Sequence, residues 1–125
     1  MANVFLVALG GALGAVARFA VASAFSRKIG TSWPYGTLFI NISGCFLVAL
    51  FLTAASERYP DLHAGWRYFF PIGFVGAYTT FSTYEFETYR LAQIGQLSGT
   101  VAYVIASNVL GFAAVLLGAW VARRM

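Results

Sequence analysis

The sequence has 125 residues, of which 60% are apolar, 18% aromatic and only 10% charged. Soluble domains carry about 25% charged residues, so this composition excludes an ordinary soluble domain and indicates a protein whose solvent is lipid. The net charge is +4, but the basic residues stand singly or in pairs at the ends of apolar runs, which is typical of membrane flanks and argues against a nucleic-acid partner.

Four apolar segments are each long enough to cross a hydrocarbon core about 30 Å thick. In chain order the predicted spans are 4–25, 36–55, 68–90 and 97–122. The first contains one charged residue, Arg18, and the second and fourth contain none. Gly10 and Gly14 form a G-x-x-x-G pair, which favours close helix packing in lipid. The connections are short, so the fold class predicted for residues 1–125 is a single all-α membrane domain of four transmembrane helices.

Polar side chains recur at helical spacing in the second and fourth spans. Burying a polar group in lipid costs free energy, so such residues are candidates for a functional role. Thr37, Asn41 and Cys45 are four residues apart in the second span, with Asn41 near mid-depth. Tyr103 and Ser107 have the same spacing in the fourth. From the residues alone, either stripe could serve helix packing or an ion path.

The third span is predicted to be a helix broken near mid-membrane. Gly73 and Gly76 loosen it, and the hydroxyls within Thr79–Thr83 can bond to the backbone and stabilise a break. Non-helical backbone at this depth is tolerated only when it is buried in protein or lines a wet cavity. The freed carbonyls can bind a cation, and the start of the second half-helix favours an anion. Phe81 and Tyr84 share a face, and the edges of aromatic rings carry positive partial charge.

Charged residues near the third span leave several roles open. Arg18 could bind the ends of neighbouring helices, reach the interface or neutralise an anion. We expect a structural role, because a fixed charge in a path can hold an anion too tightly. Glu85 and Glu87 close the third span and are expected in solvent. The sequence has no nucleophile–base pair and no cluster of metal-ligating side chains, so we predict that the protein is not an enzyme.

The flanking charges are nearly balanced between the two sides of the membrane. The side of the termini and second loop carries Arg58, Arg67, Arg123 and Arg124, and the other side carries Arg27, Lys28 and Arg90. An excess on one side is what fixes orientation. The sequence therefore predicts insertion in both orientations, and with it an antiparallel, dual-topology homodimer.

Three motifs, in this order, resemble the Fluc (CrcB) fluoride channels over essentially the whole chain. They are G-A-V-A-R ending at Arg18, G-T-L-F-I-N-I-S-G from Gly36 to Gly44, and G-x-x-G-x-x-T-T-F-S-T-aromatic from Gly73 to Tyr84. The resemblance implies a passive, fluoride-selective channel in the inner membrane of a prokaryote, exporting fluoride to lower its cytoplasmic concentration. It also implies two pores per antiparallel homodimer and a central structural sodium ion as cofactor, held by the main-chain carbonyls of Gly76 and Thr79.

The resemblance also assigns side chains to the path. The implied fluoride pore residues are Asn41, Phe81, Tyr84, Thr80, Ser82, Tyr103 and Ser107. Glu87 matches a carboxylate near the vestibule, and Arg18 matches the first-helix arginine of the family. One departure concerns the third motif, which usually ends in phenylalanine where this chain has Tyr84.

Two alternatives from other classes remain at this stage. A proton-coupled exporter of the small multidrug resistance type would need a carboxylate deep in the first span, where this chain has Arg18 and no acid. A non-transporting packing subunit would use all of its polar side chains to bond neighbouring helices.

Overall fold

The computed structural model describes residues 1–125 and contains helices and no strands. The first helix is Ala2–Ile29, the second is Tyr35–Glu57 and the last is Leu97–Arg124. All three are long and apolar enough to cross a membrane. They extend beyond the predicted spans, because the prediction followed only the apolar core of each helix. The fold is that of a multi-pass, all-helical membrane protein.

The third span is irregular up to and including its break. It starts with a helical turn at Gly65–Arg67, continues as a π-helix at Tyr68–Val75 and returns to α-helix at Gly76–Tyr78. Thr79 and Thr80 are extended, with φ/ψ values of −79°/160° and −151°/113°. A new helix, Phe81–Gln93, follows them. The predicted break is therefore present and is two residues long.

The π-helical stretch was not predicted. Pro71 lies inside it and has no N–H, so the carbonyl one turn earlier cannot receive the usual α-helical bond. A wider turn is one way for the backbone to accommodate this loss, and such turns are frequent at functional sites. Pro71 is the sequence signal that could have indicated this irregularity.

Glycines bring the first helix against the backbone of the third span. A Cβ atom on Gly14 would overlap the carbonyl oxygen of Phe74, and one on Gly10 would overlap that of Phe69. A similar approach joins the second and last helices, where a Cβ on Gly118 would overlap the carbonyl of Phe46. Small residues allow backbones this close in lipid, where van der Waals packing drives association. The broken span is thus held directly by its neighbours' backbones.

The end of the molecule that carries both chain termini is tied by charged and aromatic groups. Arg123 donates from Nε and Nη2 to the two carboxylate oxygens of Glu57, both at 3.1 Å, which joins the last helix to the second. The guanidinium of Arg124 lies 4.2 Å from the ring centre of Trp120. Such amphipathic groups are enriched at the membrane interface.

Candidate functional site

Asn41 holds the break in the third span from the second helix. Its Nδ2 donates to the carbonyl oxygen of Thr80 at 3.0 Å, and its Oδ1 accepts from the N–H of Thr80 at 2.8 Å. One side-chain amide therefore pairs with both polar groups of an extended residue. This pairing satisfies backbone that lipid could not solvate.

The hydroxyl of Thr80 starts the second half of the span. Its Oγ1 accepts from the N–H of Thr83 at 3.3 Å and donates to the Thr83 hydroxyl at 2.9 Å. This is an N-cap, which satisfies one of the free N–H groups at a helix start. The threonine run predicted to stabilise the break does so through Thr80 and through Thr79, whose hydroxyl donates to the Val75 carbonyl at 3.0 Å.

The carbonyls of Gly76 and Thr79 have lost their helical partners. In a continuous helix each would accept from the N–H four residues later, but those two N–H groups bond instead to the side chains of Asn41 and Thr80. Arg18, from the first helix, donates from Nη1 to the Thr79 carbonyl at 3.4 Å. The arginine thus binds the end of a neighbouring half-helix. Unwound carbonyls of this kind are the groups that bind sodium in broken membrane helices.

A cavity of about 460 Å³ lies beside the break. Its polar lining includes Asn41, Thr80 and Ser107, and its aromatic lining is Phe81 and Tyr84. The ring centres of Phe81 and Tyr84 are 5.8 Å apart, with the planes tilted by 43°. No carboxylate lines this mid-span cavity. Its lining therefore combines an amide, hydroxyls and aromatic rings without a negatively charged side chain, as a site for a small anion would.

A second cavity, of about 220 Å³, lies between the connection that joins the first two helices and the end of the third span, and is called the mouth cavity below. Thr31, Trp33, Thr37, Glu87 and Arg90 are among its lining residues. Arg90 donates from Nη2 to the Thr31 carbonyl at 3.5 Å. The mouth cavity therefore combines a guanidinium with a carboxylate.

Glu87 lines the mouth cavity and is held there by two hydroxyl groups. Its Oε1 accepts from the Thr37 hydroxyl at 2.9 Å and its Oε2 accepts from the Tyr103 hydroxyl at 2.8 Å. The ring of Tyr103 is fully buried and contacts Trp33 and Tyr84 edge-on, each at a centroid distance of 5.2 Å. A freely solvated Glu87, which we expected from the residues alone, is therefore wrong.

The structure brings most of the predicted pore residues together around the break. Tyr103 reaches Glu87, one helical turn from Ser107 in the mid-span cavity. Ser82 is exposed and lines neither cavity. Trp33, which was not among the predicted site residues, donates from Nε1 to the Gly99 carbonyl at 3.2 Å and fixes the first connection to the last helix.

Together, the fold and the site define a multi-pass membrane protein with a polar site inside a broken helix. Residues 5–119 match the family described as CrcB-like protein, Camphor Resistance (CrcB). The chain belongs to the CrcB family.

Curated relatives match nearly the full length of the chain. A protein of Acidobacterium capsulatum named fluoride-specific ion channel FluC is 51% identical over 119 residues, which cover 95% of this chain and 94% of the relative. Proteins with the same name from Solibacter usitatus and a Synechococcus species are 43% and 42% identical, covering 95% of this chain in each case and 97% and 91% of the relatives. A multi-pass protein of this family is consistent with a prokaryotic inner membrane.

Proposed function

We propose that this chain is a fluoride-selective ion channel that passively exports fluoride and so lowers its cytoplasmic concentration. The observation that carries this proposal is the mid-span cavity, which combines an amide, hydroxyls and two aromatic rings at the start of a half-helix, with no carboxylate. Relatives that are 42–51% identical carry the name of fluoride-specific ion channels.

The chemistry of the path suits fluoride. This anion is small and strongly hydrated, so donors at close range must replace its water. Hydroxyls and ring edges hold an anion more weakly than a fixed cation, and several in series let it both enter and leave. The N-terminus of Phe81–Gln93 adds a partial positive charge. Arg90, at the mouth, attracts anions without standing in the narrow part of the path.

A second, antiparallel copy of the chain completes the site. Phe81 is 73% exposed at mid-span, and Ser82 beside it is exposed as well. Lipid is a poor environment for the serine hydroxyl and for broken backbone. A two-fold partner would cover this face and give two pores, one for each broken helix.

The same arrangement would place a sodium ion at the two-fold axis. The carbonyls of Gly76 and Thr79 would hold it, two from each copy, because the break has freed them from helical bonding. When bound, the ion supplies positive charge at the centre without lying in either path. Arg18 already bonds the Thr79 carbonyl and would steady that ligand.

Fluoride efflux from liposomes containing only the purified chain tests the proposed activity. With valinomycin present to carry potassium, we expect rapid release of fluoride and retention of chloride. A proton-coupled exporter would instead need a proton gradient and a cationic substrate, and a packing subunit would release nothing. Absence of fluoride efflux from correctly folded protein would reject the channel.

Assembly is tested separately by the accessibility of a C-terminal protease site. In sealed cells, an added protease should cleave about half of the C-terminal sites of a dual-topology protein. The other half should be cleaved only after the membrane is opened, as expected from nearly balanced flanking charge. Replacing sodium by potassium should shift the dimer towards monomer in native mass spectra. Cleavage from one side only would contradict dual topology, and an unchanged dimer would contradict the structural sodium.

A further inference from the structure

Tyr84 is a buried residue whose hydroxyl has no partner in the chain. The residue is 9% exposed. The other two buried tyrosines bond through their hydroxyls, Tyr78 to Ser43 at 2.9 Å and Tyr103 to Glu87 at 2.8 Å. No side-chain polar atom is enclosed without a partner, so the Tyr84 hydroxyl must reach open space. The residue lines the mid-span cavity, and that is the space available to it.

None of the acceptors that line the mid-span cavity receives a bond from this hydroxyl. The cavity has no carboxylate in its lining. The Oδ1 of Asn41 is occupied by the N–H of Thr80, and the Thr80 carbonyl accepts from the Asn41 amide. An O–H donor that is unused within the chain and faces a cavity can bond to an occupant that accepts. A bare anion is such an occupant.

The ring is held so that it cannot easily turn the hydroxyl elsewhere. Tyr84 contacts Tyr103 at 5.2 Å with the planes at 62°, and Phe81 at 5.8 Å with the planes at 43°. Tyr103 is itself fixed by its bond to Glu87. This positioning lowers the entropy that the side chain would lose on binding a ligand.

We propose that the Tyr84 hydroxyl is a direct hydrogen-bond donor to the anion in the mid-span cavity and sets how tightly this chain holds fluoride. This inference rests on the proposed channel function. A phenylalanine at this position would offer only a weakly polar ring edge, whereas an O–H group forms a short, charge-assisted bond to an anion. The hydroxyl thus gives this chain a tighter fluoride site than a ring edge alone.

The variant Tyr84→Phe removes this donor and keeps the ring. We expect the half-saturating fluoride concentration for liposome efflux to rise about 10-fold, the effect of losing one hydrogen bond to a charged group. The maximal rate should not fall, because a weaker site releases its ion more readily. Stabilisation of the purified protein by sodium fluoride, compared with sodium chloride, should require a similarly higher concentration, since the ratio of ligand concentration to Kd sets the stabilisation.

Tyr89→Phe is the matched control. Tyr89 lies on the same half-helix, is 57% exposed, and its hydroxyl accepts from Gln93 at 2.7 Å. This variant should keep the wild-type half-saturating concentration. If wild type and Tyr84→Phe both conduct with the same half-saturating concentration, the role of the hydroxyl is overturned and the channel stands. If wild type itself does not conduct, the proposed function fails first.

Discussion

Replacing Asn41 by leucine is expected to abolish fluoride efflux and to destabilise the protein by about 2–6 kcal/mol. Leucine has a similar volume but leaves the N–H and carbonyl of Thr80 unpaired at mid-span, where each buried orphan group costs about 1–3 kcal/mol. The loss should appear as a lower unfolding temperature in detergent. Efflux should disappear because the break, the mid-span cavity and the start of Phe81–Gln93 depend on the geometry of Thr80.

Two further variants separate the possible causes. Asn108→Leu removes an exposed amide that also lines the mid-span cavity but bonds only to Val104 in its own helix, at 2.8 Å. It should change stability by about 0.5 kcal/mol, because it leaves no backbone group at the break unpaired. Asn41→Asp keeps an acceptor for the Thr80 N–H, loses the donor and adds negative charge. It should therefore lose anion flux more completely than stability. Equal destabilisation by Asn41→Leu and Asn108→Leu would contradict the special role of Asn41.

Gly14→Ala is expected to destabilise the protein by about 1–3 kcal/mol, the usual range for overpacking. The added methyl group would overlap the carbonyl of Phe74, so the first helix must move away from the π-helical stretch. That movement also shifts Arg18, one turn later, from the Thr79 carbonyl. Thermal unfolding measures the loss of stability, and the efflux rate measures the effect of moving Arg18.

Gly11 provides the control within the same helix. A Cβ there would lie 3.9 Å from the Gly73 carbonyl, an ordinary contact. Gly11→Ala should therefore be neutral or stabilising, because alanine favours helix over glycine by about 1 kcal/mol. Comparable losses from Gly11→Ala and Gly14→Ala would contradict the role of the close backbone approach at Gly14.

The sequence was informative about the elements and much less so about how they meet. Apolar runs located the helices, and the glycines and threonines of the third span located the break, because both signals are local. The pairing of Asn41 with Thr80 joins positions 39 residues apart. Helical spacing placed Asn41 on one face with Thr37 and Cys45 but could not show which backbone group lies at its level, since that depends on the offset between helices.

Glu87 illustrates the same limit for a charged residue. A carboxylate near the end of a span is usually solvated, and nothing local distinguishes this one. Its position follows from the packing of the half-helix Phe81–Gln93 between Thr37 on one side and Tyr103 on the other. The hydroxyls of Thr37 and Tyr103 belong to the two predicted polar stripes. Their shared partner, Glu87, lies on the half-helix after the break, and the direction of that half-helix cannot be read from local sequence.

The bonds that complete the broken span have a consequence for biosynthesis. The missing backbone partners are supplied by Asn41 and Arg18, and both precede the third span in the chain. A ribosome therefore delivers the first two helices to the membrane before the segment that needs them. Thr79 and Thr80 enter the membrane after Asn41 and Arg18, so the bonds that these two side chains supply to the break can form before the last helix is made.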